Sequence, residues 1–245
     1  MIVTASEHGW RCITQPDHAR LGRELLALWR RDGLPDHPRR EALLEAVLEH
    51  DNGWREADAA PRLHVEEGRP HDFVSHPLAE RLAIWRRGIE RYRDDRPYVA
   101  ALVLEHARYL HRGRRGVPAW DEFLDELESR RGELAAAAGL APAELASDYR
   151  WLHTADLCSL VVCADWREPF ERRGLRCRLR EDGLELSPFP LAGATRFSVP
   201  CRDLPSGEYR SDAAVATALA ACRWRRLIFR VVPPGVPGTE PESPS

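Results

Sequence analysis

The stretch from Trp151 to Trp166, WLHTADLCSLVVCADW, most constrains the fold, because it is apolar on nearly every face of a helix. A helix without a polar face must be surrounded by other elements, so we expect it to be central to the domain. It continues a helix predicted to begin at Pro142, and Asp156 lies in the middle of its apolar surface. A carboxylate in such a setting usually needs a cation or an ion-pair partner.

Two further predicted helices place a histidine on an apolar face. His18 shares the apolar stripe of a helix predicted to run from Pro16 to about Arg31. His106 is surrounded at helical spacing by apolar residues in a helix predicted from Tyr98 to about His111, so we expect it to be buried. His111, next to two arginines, is expected to face solvent.

A fourth helix, predicted to open at Asp36 and Pro38, ends in the neighbouring pair His50 and Asp51. Apolar residues three and seven positions before His50 place it on the core side, and the same relation holds for Asp51. Asn-Gly at 52–53 then interrupts the helix.

These side chains together predict a metal site with His18, His50, Asp51, His106 and Asp156 as ligands. A ligand set without a thiolate suits one or two ions of iron, manganese, zinc or magnesium. A single histidine on an apolar face is more often a hydrogen-bonded core residue than a ligand. The alternative is therefore a buried network satisfied by hydrogen bonds alone.

A pattern-free stretch over residues 52–76 is predicted to be a long loop, which in a compact domain is often functional. Arginine can clamp a phosphate or carboxylate, and an indole can stack on a ring. The candidate substrate-binding residues are Trp54, Arg55, Arg62 and Arg69.

Two aspartates are the candidate catalytic residues, Asp51 and Asp58. They are seven positions apart, so one more stretch of helix would place them on one face, and Asp58 could instead orient a ligand histidine.

Composition narrows the class of protein. A net charge of −3 gives no basic footprint for nucleic acid, and no stretch is long and apolar enough for a membrane span. The N-terminus lacks the pattern of a signal peptide. Six scattered cysteines without CxxC spacing fit free thiols in a reducing cytoplasm. We expect a cytoplasmic protein whose partner is a small molecule, neither nucleic acid nor membrane.

The order of His18, then His50-Asp51, then the distal Asp156 resembles the HD superfamily of metal-dependent phosphohydrolases. The resemblance covers about residues 15–165. It implies a helical bundle in which these four residues bind a divalent metal. It also implies His106 as the candidate ligand of a second ion, with His64, His71 and His76 as weaker candidates.

A second resemblance covers nearly the whole chain. The segments QPDHA, HDNGWREADAAP, GRPHDF, YRWLHTADLCSL and SPFP look like an uncharacterised bacterial family known only as a domain of unknown function. This resemblance implies no activity.

The expected fold is mainly α, an HD-like helical bundle with a small C-terminal α+β segment joined by the N-terminal strand. A hairpin is predicted over residues 1–14, the bundle over 15–166 and the β-rich segment over 167–232. The Pro/Ser/Gly-rich residues 233–245 are predicted to form a disordered tail.

Three functions remain open from the sequence. The first is a hydrolase of a phosphate ester or nucleotide-like molecule that uses a metal-activated water. The second is an oxygenase with an HD-like two-iron centre. The third is a metal- or ligand-binding module without catalysis.

Overall fold

The computed structural model describes residues 1–236, so residues 237–245 of the predicted tail lie outside the described part. Helices make up 48% of the chain and strands 20%. The helices are α1 Gln15–Ala27, α2 Arg40–Glu49, α3 Arg55–Ala59, α4 Leu78–Glu90, α5 Pro97–His111, α6 Pro118–Ala137, α7 Pro142–Cys163 and α8 Asp212–Ala221. Among the described residues, no helix combines the length and hydropathy that a bilayer span requires.

Within residues 1–236, nine strands form two sheets. They are β1 Ile2–Ser6, β2 Gly9–Ile13, β3 Leu63–His64, β4 Arg69–Pro70, β5 Phe170–Arg172, β6 Leu175–Arg180, β7 Gly183–Ser187, β8 Thr195–Pro205 and β9 Trp224–Val232. β3 and β4 form a two-stranded sheet. The other seven strands form one sheet in the order β1-β2-β8-β9-β7-β6-β5, in which only β7 and β9 are parallel among the described pairs.

The prediction of a mainly α bundle is wrong. The seven-stranded sheet curls into a half-barrel, so the fold is mixed α/β. Sequence periodicity finds the individual strands, but it does not show that β2 pairs with β8 nearly two hundred residues later. That pairing merges the N-terminal hairpin and the C-terminal strands into one large sheet.

The sheet and the helices share one hydrophobic core. Leu25 of α1, Leu102 of α5 and Leu152 of α7 belong to the same buried cluster as Val199 of β8 and Val231 of β9. All five side chains are completely or almost completely shielded from solvent. The inner face of the sheet therefore covers part of the helical core that other helices were expected to cover.

Several element boundaries differ from those predicted. α1 ends at Ala27, four residues early, and α2 begins at Arg40 instead of near Asp36. The predicted loop over 52–76 contains a 3₁₀ turn at Asn52–Trp54, the short helix α3 and the small β3-β4 sheet. Hydrogen bonds to distant parts of the chain hold residues 52–76 in place, such as the bond that the backbone N–H of Phe73 donates to the carbonyl of Met1.

Candidate metal centre

His18 is held on α1 by a contact with α7. The hydroxyl of Ser159 lies 3.0 Å from His18 Nδ1 and 3.0 Å from the carbonyl oxygens of Ala155 and Asp156. Its single proton goes to a carbonyl, which can only accept, so Nδ1–H of His18 donates to the hydroxyl. In the neutral ring the lone pair of Nε2 then points at Oδ1 of Asp156, 3.1 Å away.

His50 is the residue that ends α2. Its Nδ1 donates to the carbonyl of Val47 at 2.7 Å, which leaves Nε2 as the lone-pair nitrogen of the neutral ring. Nε2 is fully buried, has no hydrogen-bond partner, and lies 3.3 Å from Oδ2 of Asp51 and 3.4 Å from Oδ1 of Asp156. A lone pair facing two carboxylates is repulsive unless a cation or proton lies between them.

His106 completes the group from α5. Its Nδ1 lies 3.1 Å from the hydroxyl of Tyr149, and its Nε2 lies 3.9 Å from Oδ2 of Asp156. The rings of His18 and His106 each contact the ring of His50 edge-on, with centroids 5.3 and 5.0 Å away. We call His18, His50, Asp51, His106 and Asp156 the cluster.

The spacing within the cluster fits metal coordination. The ligand atoms fall into two overlapping sets, His18-His50-Asp51 and His50-His106-Asp156, each within 4.8 Å. Two atoms bound to one ion at about 2.1 Å lie roughly 3 to 3.5 Å apart in octahedral or tetrahedral geometry. Three nitrogen–oxygen separations in the cluster, from 3.1 to 3.4 Å, fall in this range.

The electrostatics of the cluster also favour a cation. Burial disfavours a charge on His50, but the carboxylates of Asp51 and Asp156 outweigh it and hold its pKa well above the ordinary value. Burial opposes ionisation of Asp156, yet the close approach of His18, His50 and His106 holds its pKa well below the ordinary value. The pKa of Asp51 is likewise lowered, whereas burial lowers that of His106 to about 3. The two carboxylates are thus ionised and require positive charge nearby.

The turn after the cluster packs directly on α4. A Cβ on Gly53 would lie 2.1 Å from the carbonyl oxygen of Ile84, so no side chain fits there. The amide of Asn52 donates to the carbonyls of Glu49 and Gly88, and Arg87 donates to the carbonyl of Gly53. The Asn-Gly that follows Asp51 therefore fixes the end of α2 against α4.

A cavity of about 250 Å³ opens onto the cluster. His18, Asp51, His106 and Asp156 line it, and His50 lies behind them. Its apolar walls include Trp54, Phe73, Trp85, Leu110, Leu157 and Leu160. Four further polar residues line it: Gln15, Arg81, His111 and Arg114.

Sequence reasoning missed those four polar residues. Gln15 precedes His18 by three positions, so the helical spacing that singled out His18 could have found it. Its side chain is buried, and its Oε1 has no hydrogen-bond partner. His111, expected to face solvent, is partly buried against Trp85 and Trp120, with ring centroids 5.7 and 4.3 Å away. The prediction for His111 overlooked the next helix, which covers it.

Of the predicted substrate-binding residues, the structure brings only Trp54 to the cavity. Arg55 pairs with Glu49, Arg62 pairs with Glu80, and Arg69 pairs with Glu67. Carboxylates of the chain itself engage these three guanidinium groups away from the cavity lining. Two of the partners lie only two and six residues away in sequence, whereas Glu80 lies eighteen residues from Arg62.

Asp58, predicted to be catalytic, lies outside the cavity lining. One carboxylate oxygen pairs with the amino group of Met1, and the other accepts the backbone N–H of Gln15 at 2.6 Å. Burial raises the pKa of Asp58 despite these contacts. In the structure it anchors the start of α1 and does not contact a histidine of the cluster.

The three weaker ligand candidates lie near one another but outside the cluster. The rings of His64 and His71 have centroids 4.8 Å apart, and those of His71 and His76 are 5.3 Å apart. His76 also contacts Trp54, and its Nδ1 lies 3.2 Å from Glu80. Among the described residues, these histidines belong to neither of the groups with metal-binding geometry.

Comparison with known proteins places the chain in a family without assigning an activity. No curated protein and no solved structure matches it. The profile of a family described as "Protein of unknown function (DUF3891)" matches residues 1–206, most of the chain. The chain therefore belongs to the uncharacterised family DUF3891.

Proposed function

We propose that the protein is a metal-dependent hydrolase of a phosphate ester, with one divalent ion held by the cluster. The observation that carries the metal is Nε2 of His50, which is buried without a hydrogen-bond partner and faces two carboxylates. Buried polar atoms nearly always have a partner, so this orphan atom supports a missing cation.

The geometry favours one ion over two. Both sets of ligand atoms contain His50, whose Nδ1 is already engaged with the carbonyl of Val47. An imidazole with one free nitrogen can ligate only one ion, so the two sets cannot both be filled completely, which favours a single site. Three imidazoles and two carboxylates suit iron, manganese or zinc better than magnesium, which prefers oxygen ligands.

A bound ion of this kind supplies a water molecule acidic enough to act as a nucleophile near neutral pH. The residues around it hold and shield the substrate. Oε1 of Gln15 is placed to accept a hydrogen bond from water or a substrate hydroxyl at the cavity floor. Trp54 and Trp85 exclude bulk water from the same space. The order His18, His50-Asp51, Asp156 resembles that of the HD phosphohydrolases, which supports a phosphate ester as the substrate.

The test begins with elemental analysis of the protein purified without chelators. We expect one iron, manganese or zinc ion per chain, and at least a tenfold loss of metal affinity in Asp156→Asn and His50→Gln. Asp121→Asn, a change of the same type on α6 outside the cluster, is the matched control. Hydrolysis of 4-nitrophenyl phosphate and its bis-ester is then measured with each metal.

The possible results separate the three functions. Hydrolysis that follows metal content across the variants supports the proposal. Bound iron with substrate-dependent oxygen consumption and no hydrolysis would indicate the oxygenase, and bound metal without turnover would indicate a binding module. A chain that binds none of these metals would overturn the proposal outright.

A further inference from the structure

The end of the cavity away from the cluster carries two arginines, Arg81 on α4 and Arg114 after α5, which we call the mouth arginines. Trp85 lies between the two ends, because its ring contacts His106 of the cluster and also His111, each with centroids 5.7 Å apart. These histidines are five positions apart on α5, which corresponds to a rise of about 7.5 Å along the helix. Arg114 is exposed, so this end faces solvent.

Neighbouring arginines show what is unusual about the mouth arginines. Arg86 on the same helix as Arg81 pairs with Glu126 at 2.7 Å, and Arg115, next to Arg114, pairs with Asp125 at 2.7 Å. Within residues 1–236, no carboxylate lies within ion-pair distance of Arg81 or Arg114. Among these neighbouring arginines, the two that line the cavity are thus the ones without a carboxylate partner in the described part of the chain.

Arg81 is held in an environment that disfavours its charge. It is partly buried, its guanidinium lies 5.7 Å from the ring of Trp120, and its Nε is buried without a hydrogen-bond partner. Burial and the like charge of Arg114 lower its pKa. Guanidinium remains charged in proteins, so two positive groups line the same cavity without a counter-ion within residues 1–236. An anion bound between them would relieve both the repulsion and the unpaired donor.

His111 adds a neutral polar group to the same end. Its Nε2 is buried and has no hydrogen-bond partner among the described residues. Burial and the charges of Arg81 and Arg114 lower its pKa to about 4, so the ring is neutral at physiological pH. It can therefore exchange a hydrogen bond with a ligand without adding a third positive charge.

We propose that the mouth arginines bind a compact anionic group, a carboxylate or a phosphate, at the far end of a ligand whose other end reaches the cluster. The middle of the cavity, with Trp85, Leu157 and Leu160, contacts an apolar or aromatic body. This deepens the proposed function, on which it rests for the metal-bound end, by naming the substrate class: a phosphate ester on an apolar body with a second anionic group.

The experiment uses 4-carboxyphenylphosphonate, its neutral carboxamide and 1,4-phenylenebisphosphonate as non-hydrolysable probes. Calorimetry on the metal-loaded protein should show about tenfold tighter binding of the carboxylate than of the carboxamide. The bisphosphonate distinguishes a site for carboxylate from one for phosphate. Arg81→Gln and Arg114→Gln should each reduce the preference for charge by about threefold or more, while metal content stays unchanged.

Arg86→Gln and Arg115→Gln are the matched controls, because both lie beside the mouth arginines but are engaged in ion pairs. Equal affinity of wild-type protein for the carboxylate and the carboxamide would overturn the inference. So would an equal loss of preference in the controls. The same probes are then tested on metal-free protein, which separates the two proposals. If the carboxylate probe still binds more tightly than the carboxamide probe, and if metal does not change the affinity of either probe, the result supports the mouth arginines and counts against the metal site.

Discussion

Replacing Gly53 by alanine tests whether the turn after Asp51 positions the cluster. The added Cβ would lie 2.1 Å from the carbonyl oxygen of Ile84, whereas an ordinary contact of this kind is about 3.3 Å. The turn and α4 must therefore separate by about 1 Å. Overpacking of this kind costs about 1–3 kcal/mol, and weakening the hydrogen bonds of Asn52 and Arg87 across the contact adds about 1 kcal/mol.

A smaller effect opposes this cost. Gly53 is not among the described glycines with positive φ, so alanine can adopt its backbone conformation. Because alanine reduces the conformational entropy of the unfolded chain, it raises the free energy of unfolding by about 0.5–1 kcal/mol. We expect a net loss of about 2–3 kcal/mol in the free energy of unfolding, or about 5–10 °C in Tm. Because Asp51 lies two residues away, metal affinity should also fall by about tenfold.

Urea denaturation followed by tryptophan fluorescence measures the stability change, and competition with a chelator measures the metal affinity. The matched control is Gly132→Ala in α6, where no atom lies within 4 Å of the added Cβ. That variant should be more stable than wild type by about 0.5–1 kcal/mol. A Gly53→Ala protein as stable as wild type, with unchanged metal affinity, would refute the reasoning.

Three further predictions concern α7. Ser159→Ala removes the hydroxyl that orients His18, so chelator competition should show a loss of metal affinity of about tenfold or more, whereas the exposed Ser129→Ala should have no effect. Burial lowers the pKa of His153 to about 4, so between pH 6.5 and 4 the unfolded chain binds a proton that the folded protein does not. The free energy of unfolding therefore falls as the pH drops from 6.5 toward 4. At pH 5 this loss of stability amounts to about 2 kcal/mol. His153→Phe should avoid it, as measured by urea titrations at pH 7.5 and 5. Equal pH dependence of the two proteins would contradict a lowered pKa of His153. Leu157→Trp should fill much of the cavity and abolish probe binding while metal content stays at the wild-type level; undiminished probe binding would place the ligand elsewhere.

Helical periodicity was enough to single out the residues that the structure brings together. His18, His106 and Asp156 each lie on an apolar face, and apolar faces meet at the centre of a packed domain. Their convergence on one point follows from that simple rule. Gln15 could have been found by the same spacing, three residues before His18.

Features that depend on distant pairing could not be predicted in this way. Arg62 looked available to a substrate, but its carboxylate partner Glu80 lies on α4, eighteen residues away in sequence. Nothing local in the sequence marks Arg81 as part of a site, and its place in the cavity becomes visible only when the 3₁₀ segment at 112–114 is positioned beside it. The N-terminal strand was expected to join the C-terminal segment, but a sheet of seven strands was not expected, because the register of β2 on β8 leaves no local signal.

The position of β9 has a consequence for how the chain acquires its structure. Among the described strands β9 comes last in sequence, yet it lies in the interior of the sheet, antiparallel to β8 on one side and parallel to β7 on the other. Until residues 224–232 are available, β7 and β8 are both open edges, which are prone to pair with other chains. During synthesis the sheet therefore cannot close before the final strand leaves the ribosome. A chain shortened to residue 206 would keep every residue of the cluster and still expose two aggregation-prone edges.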